Sequence, residues 1–211
     1  MKISLPNRLT LLRFFLIPFF LVFTVKDNVY TRVAALLIFI GASLTDLYDG
    51  KLARRRGLVT TLGTFLDPLA DKLLISSAFI AFVQVGEIFV PAWMVVLIIG
   101  REFLITGLRT LAVSRGRVLG AQPAGKFKTT SQIVAIITIL LILIANSLLE
   151  DLGGFPKGSL VRHVGAWKLL GWVLRWSPYW LTFFTTLLTI FSGYIYLKQN
   201  ADLFDEQFEK R

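Results

Sequence analysis

Six apolar runs, each near the twenty residues a helix needs to cross hydrocarbon, constrain this chain more than any other feature. They are about Leu9–Val25, Thr31–Asp49, Asp67–Val85, Val90–Leu111, Thr129–Leu149 and Tyr179–Leu197. Inside a bilayer the backbone must satisfy its own polar groups, so such runs fold as helices. The predicted fold is therefore all-α, a polytopic membrane protein with about six transmembrane helices. Charged residues are only 17% of the 211, against about 25% in an average soluble domain, and mean hydropathy is +0.68. With no repeat, low-complexity stretch or soluble segment, the chain reads as a single membrane-embedded domain over residues 1–211.

The connections carry the polar residues. Residues 1–8 hold Lys2 and Arg8, and Pro6 or Asn7 is expected to begin a short N-terminal interfacial helix. A basic start before an apolar run is also the outline of a signal peptide. The following KDNVYTR has no small-residue cleavage site, so an uncleaved first span is predicted. Lys51 to Arg56 reads as a basic surface loop ending at Gly57. Val164 to Trp176 places apolar residues on one helical side and Lys168 and Arg175 elsewhere, which predicts a second interfacial helix on the periplasmic side. Within the fourth run, Arg101 and Glu102 are adjacent and so should not face each other; each is expected to have its own partner. Of the 23 basic residues, only Lys26, Arg32, Lys157, Arg162, Lys168 and Arg175 fall on one side of the spans. The positive-inside rule then puts both termini on the cytoplasmic side of a cell (inner or plasma) membrane. A net charge of +10 in such a chain suits anionic headgroups and phosphorylated substrates rather than nucleic acid.

The chemistry is concentrated between Asp46 and Asp71, in DLYDGKLARRRGLVTTLGTFLDPLAD. An ionised carboxylate near hydrocarbon costs several kcal/mol unless it is paired, coordinated or open to water. Four carboxylates together, Asp46, Asp49, Asp67 and Asp71, would also repel one another. One or two hard divalent cations relieve both penalties. At about 100° per residue, Asp46, Asp49, Gly50 and Ala53 share one helical face, and Gly63, Asp67 and Asp71 share another. Gly50, Ala53 and Gly63 leave room for a close approach, and Arg54 is placed to meet an anion held by the metals. Pro68 disfavours helical geometry at Asp67, so the second helix either begins there or bends. Cysteine is absent and His163 is the only histidine, which leaves Mg²⁺ or Mn²⁺ rather than thiolate- or imidazole-bound zinc.

These residues resemble the pattern of the CDP-alcohol phosphotransferase family, D-x2-D-G-x2-A-R-x8-G-x3-D-x3-D. The match covers Asp46, Asp49, Gly50, Ala53, Arg54, Gly63, Asp67 and Asp71 without departure. The resemblance implies attack by an alcohol on the β-phosphorus of a CDP-linked alcohol, with release of CMP. It implies that Asp46, Asp49 and Asp67 hold the metals, and that Asp71 is a shared ligand or the base that takes the acceptor's proton. Gly50, Ala53, Arg54 and Gly63 would then line the CDP pocket. Asn7, Thr10 and Arg13 repeat at a three-residue spacing that the family also shows, which makes them possible additional site residues; snorkelling explains Arg13 as well. Members are often homodimers, so a homodimer is implied too.

Arg101, Arg109, Lys126 and Lys128 exceed what CDP recognition requires and suit an acceptor bearing its own phosphate. Glycerol 3-phosphate and inositol phosphate qualify; choline and ethanolamine do not. Ordinary positive-inside topology explains Arg115 and Arg117 without a substrate. The strings LDPLADKLL, GREFLITGLR and GKFKTTSQ resemble the bacterial branch of the family that joins CDP-diacylglycerol to glycerol 3-phosphate. The C-terminal third adds only a span pattern. Two rivals stand beside this reading. A membrane prenyltransferase also uses Mg²⁺ and aspartates but has no need of the G-x2-A-R element. A divalent-cation transporter needs access from both faces, whereas the four acids gather at one edge and the opposite helix ends are taken to carry none.

Overall fold

Each apolar run is a helix, and several extend beyond the run. The computed structural model describes residues 5–56, 61–114, 123–153 and 168–201. Within them the side chains of 5–9, 46–56, 61–68, 71, 114, 123–124, 126, 153, 168 and 170 stand outside the description. In chain order the helices are α1 (Leu5–Val25), α2 (Val29–Arg56), α3 (Thr61–Gln84), α4 (Ala92–Ser114), α5 (Pro123–Gly153) and α6 (Lys168–Gln199). No strand occurs among the described residues.

The turn after α1 is short because Asn28 caps the next helix. Its Oδ1 accepts from the Tyr30 and Thr31 amides at 2.9 and 3.3 Å, and Thr31 Oγ1 donates back to the Asn28 carbonyl at 2.9 Å. α1 and α2 therefore run antiparallel, with Phe20 against Phe39 at 5.9 Å between ring centroids. α1 packs on α2 and α3, α5 on α2 and α6, and α4 on α6. The core between them is built from Phe20, Phe39, Phe79, Phe82, Ile139 and Leu143, all fully buried. Threonines inside the helices return their hydroxyls to the preceding turn, as Thr24 does to Phe20 O at 2.8 Å and Thr189 to Thr185 O at 2.7 Å. That bond satisfies a polar group where no water reaches it.

The outer surface is apolar. Phe15, Leu37, Val96, Phe184 and Phe191 all stand more than 60% exposed, far more apolar surface than a monomer in water tolerates. Two segments, Phe127–Leu152 and Gly171–Gln199, are long and apolar enough to cross a membrane; Thr10–Val25, Val29–Thr45 and Lys72–Gln84 are shorter apolar helical stretches.

The sequence-based boundaries need four corrections. No separate N-terminal interfacial helix exists among the described residues: α1 runs unbroken from Leu5, with Pro6 in its first turn, where a missing N–H costs nothing. Lys51–Arg56, expected as a loop, is the end of α2, because Lys and Arg are good helix formers and nothing before Gly57 breaks the helix. α3 begins at Thr61, not Asp67, and continues through Pro68. The expected periplasmic interfacial helix is not a separate element where it is described: from Lys168 onwards it is the first part of α6, which passes through Pro178 without ending. Its residues before Lys168 lie outside the described residues. Near that proline the Arg175 carbonyl accepts the Phe89 amide at 3.3 Å, so the α3–α4 connection joins α6 where the proline interrupts its bonding.

Beside the start of α2 lies a buried ionic knot. Arg32 is fully buried; its two terminal nitrogens fork onto the Glu87 carboxylate, and Nη1 also donates to Leu143 O at 2.9 Å and Ser147 Oγ at 2.5 Å. Asp27 lies 3.5 Å from the same guanidinium, and Glu150, one turn along α5, is also buried. The end opposite the motif is thus not free of acids, contrary to expectation. Arg32 compensates two of them, and it is a packed core residue rather than a loop charge.

Candidate active site

The α2–α3 hairpin brings the two halves of the aspartate motif to one end. Asp46, Asp49, Gly50, Ala53 and Arg54 lie on the last three turns of α2, and Gly63, Asp67 and Asp71 on the first three of α3. Both segments are continuous helix, so the 3.6-residue period that aligns each set holds along its whole length. The side chains of all eight fall outside the described residues. Among the described residues no three acid, cysteine or histidine side chains gather as a metal site.

α1 completes this end of the bundle. The Phe20–Phe39 contact sets the antiparallel register, and at equal rise along both helices it places Arg13 level with Asp46. Thr10 and Arg13 are both buried, at 0% and 2% exposure, on a helix packed against α2 and α3. Arg13 therefore does not snorkel towards the headgroups. Asn7 is on the first turns of the same helix, its side chain outside the described residues.

A second polar layer surrounds α4. Glu102 is buried and accepts an ion pair from Lys128 of α5, itself 4% exposed. Arg101 donates from Nη2 to Ser192 Oγ of α6 at 3.0 Å. Each of the adjacent residues thus has its own partner, as expected, but contrary to expectation they also pair with each other, Arg101 Nη1 lying 3.5 Å from Glu102 Oε1, because both long side chains reach the same layer. Lys72, next to Asp71, donates to Thr106 Oγ1, tying the motif end of α3 to α4. Arg109 is exposed and lies over the Tyr196 ring, 5.5 Å from its centroid. Of the four cations singled out in the sequence, Arg101 and Lys128 meet at Glu102, Arg109 lies two turns along α4, and the Lys126 side chain is outside the described residues.

Sequence reasoning found α6 as an apolar run but missed its polar stripe. Thr182, Thr185, Thr186, Thr189, Ser192 and Tyr196 are all buried there. Their spacing of three and four is a polar stripe at helical period inside an apolar run, a signal present in the letters but hidden by the run's hydropathy.

The ends of α2 and α3 that carry the motif positions thus lie beside a layer of buried and half-buried cations. The family model described as CDP-alcohol phosphatidyltransferase matches residues 3–191. A Bacillus subtilis CDP-diacylglycerol–glycerol-3-phosphate 3-phosphatidyltransferase is 41% identical over 80% of this chain and 92% of its own length. Proteins of the same description from Rickettsia bellii and Escherichia coli are 33% and 40% identical, over 92% and 66% of this chain and 94% and 78% of their own lengths.

Proposed function

This chain belongs to the CDP-alcohol phosphatidyltransferase family, and from that premise we propose that it transfers the phosphatidyl group of CDP-diacylglycerol to glycerol 3-phosphate. The products are phosphatidylglycerophosphate and CMP, and the reaction belongs to phospholipid biosynthesis. The acceptor assignment is supported by relatives named for that reaction. The observation that supports the chemistry is that the motif positions fall on the end of α2 and the start of α3, two helices joined by a short stretch of chain.

The donor set fits a hard cation: carboxylate oxygens from two helices, in a chain without cysteine. Asp46, Asp49 and Asp67 would hold Mg²⁺ or Mn²⁺, with Asp71 a shared ligand or the base. Bound there, the metal would supply neutralisation of the diphosphate and of the charge on the departing CMP oxygen. Arg54 meets the diphosphate, while Gly50, Ala53 and Gly63 keep the cytidine side of the pocket open. Thr10 and Arg13, with Asn7, border the same end from α1. Arg101, Arg109, Lys126 and Lys128 receive the acceptor's phosphate, and a phosphate reaching Lys128 shares it with Glu102. The acceptor hydroxyl loses its proton to Asp71 as its oxygen bonds to the β-phosphorus and the bond to CMP breaks. A carboxylate wholly inside a metal shell is too weak a base for this step, so the base role would require Asp71 to stand partly outside it.

We further propose that all six helices span the membrane, with both termini and the aspartate end cytoplasmic, where nucleotide-activated substrates reside, and that the enzyme works as a homodimer. The apolar outer surface supports immersion, and the asymmetry of basic residues supports the orientation.

The test is product identification. Purified protein in vesicles is given CDP-diacylglycerol, Mg²⁺ and an equimolar mixture of glycerol 3-phosphate and inositol phosphate, and lipids are read by mass spectrometry. Phosphatidylglycerophosphate formed one-for-one with CMP is expected. An inositol-phosphate lipid as the main product would reassign the acceptor. Metal accumulation in sealed vesicles without any lipid product would favour the transporter.

A further inference from the structure

α6 contributes no motif residue, yet it holds both α4 arginines on which the acceptor reading rests. Arg101 lies along it: Nη2 donates to Ser192 Oγ at 3.0 Å, and a Cβ on Gly193 would stand 3.1 Å from Arg101 Cγ. Gly193 is the gap that admits the arginine stem. Two turns along α4, the Arg109 guanidinium lies over the face of Tyr196 at 5.5 Å. The two partners differ in exposure. Tyr196 is 2% exposed, a ring fixed on its far side by packing, whereas Arg109 is exposed. The phenol hydroxyl has no hydrogen-bond partner among the described residues, so the ring face is what Tyr196 offers its neighbour. A guanidinium held over a ring face spends none of its N–H donors on that contact. Those donors stay available for a forked contact with phosphate.

We propose that Tyr196 is a positioning residue for the acceptor's phosphate, holding the Arg109 guanidinium over its ring while Ser192 and Gly193 set the path of Arg101. The proposal rests on the acceptor reading above and extends it to a helix that carries none of the recognised residues. It makes a buried aromatic face a determinant of affinity for the phosphorylated alcohol and not for the CDP-lipid.

Steady-state kinetics with each substrate varied in turn tests it. Tyr196→Leu is expected to raise KM for glycerol 3-phosphate about five- to tenfold, with kcat and KM for CDP-diacylglycerol changed less than about twofold. Tyr196→Phe keeps the face and recovers most of that loss. In an Arg109→Ala background, Tyr196→Leu adds no further increase, the coupling expected of a pair that acts as one unit. Equal rises in both KM values, a fall in kcat alone, or a Phe variant as impaired as Leu would overturn the platform. If Tyr196→Leu does not fold, Gly193→Ala carries the test: displacing Arg101 should raise KM for glycerol 3-phosphate at least about threefold, and an unchanged value overturns the proposal. An Arg109→Ala enzyme with normal KM removes the acceptor reading itself. A raised KM in Arg109→Ala with none in Tyr196→Leu removes only the role of Tyr196.

Discussion

Replacing Arg32 with methionine should be among the most damaging single changes in the protein while leaving the chemistry intact. The guanidinium is fully buried and its partner Glu87 only 14% exposed on its side chain. One nitrogen also serves the Leu143 carbonyl and the Ser147 hydroxyl. Methionine fills much of the same volume but strands a partly buried carboxylate, and breaking a buried pair from one side costs about 3–5 kcal/mol. For a chain of this length that corresponds to a fall of roughly 6–20 °C in Tm. Thermal unfolding of the detergent-solubilised protein, followed by near-ultraviolet circular dichroism, measures it. The companion Arg32→Met/Glu87→Met protein removes both charges and should regain most of the loss, because well-packed apolar groups replace a buried pair at little cost. Below the transition, both KM values should match those of the unaltered enzyme. A single variant within about 1 kcal/mol of the parent would show the pair behaving as an exposed one, and the burial argument would fail.

Asp67→Asn is expected to abolish turnover and weaken Mn²⁺ binding, read by electron paramagnetic resonance; normal activity would refute metal ligation. Asp71→Asn should lower kcat by at least about a hundredfold while keeping measurable Mn²⁺ affinity, and loss of affinity alone would leave it a ligand only. Lys126→Ala should raise KM for glycerol 3-phosphate and not for CDP-diacylglycerol; the reverse pattern contradicts the acceptor pocket. Asn146 is fully buried with neither amide atom partnered among the described residues. Asn146→Leu should therefore stabilise the protein by about 1–3 kcal/mol in the same melting assay, and a lower Tm would reveal a partner for the amide.

The six helices were legible because each run had to satisfy its own backbone in an apolar setting. Their ends were less so. Hydropathy marks where apolar character stops, whereas α2 stops only where glycine follows Arg56, and α6 starts well before its apolar part. Of the aspartate motif, the structure bears on the helices alone: its two halves fall on the end of α2 and the start of α3, and the side chains lie outside the described residues. The partners of the cations were not legible. Lys128 with Glu102 joins α4 to α5 and Arg109 with Tyr196 joins α4 to α6, and no local pattern records which faces of α4, α5 and α6 meet. Arg32 misled for a related reason. In the letters it is a basic residue near a turn, and only packing shows it enclosed by α5 and the α3–α4 connection.

Phe89, Trp176, Tyr179, Trp180 and Phe183 form a continuous aromatic group, with ring centroids 5.1 to 6.1 Å apart. Such rings favour the boundary between lipid tails and water, so in the proposed spanning arrangement they would act as a depth gauge for α6. Counting down from Tyr179 at 1.5 Å per residue, Tyr196 would then come about 25 Å lower, near the far boundary of a hydrocarbon layer about 30 Å thick. One collar of aromatics would thus hold the arginine platform at the level where a water-borne phosphate and a membrane-borne nucleotide can meet.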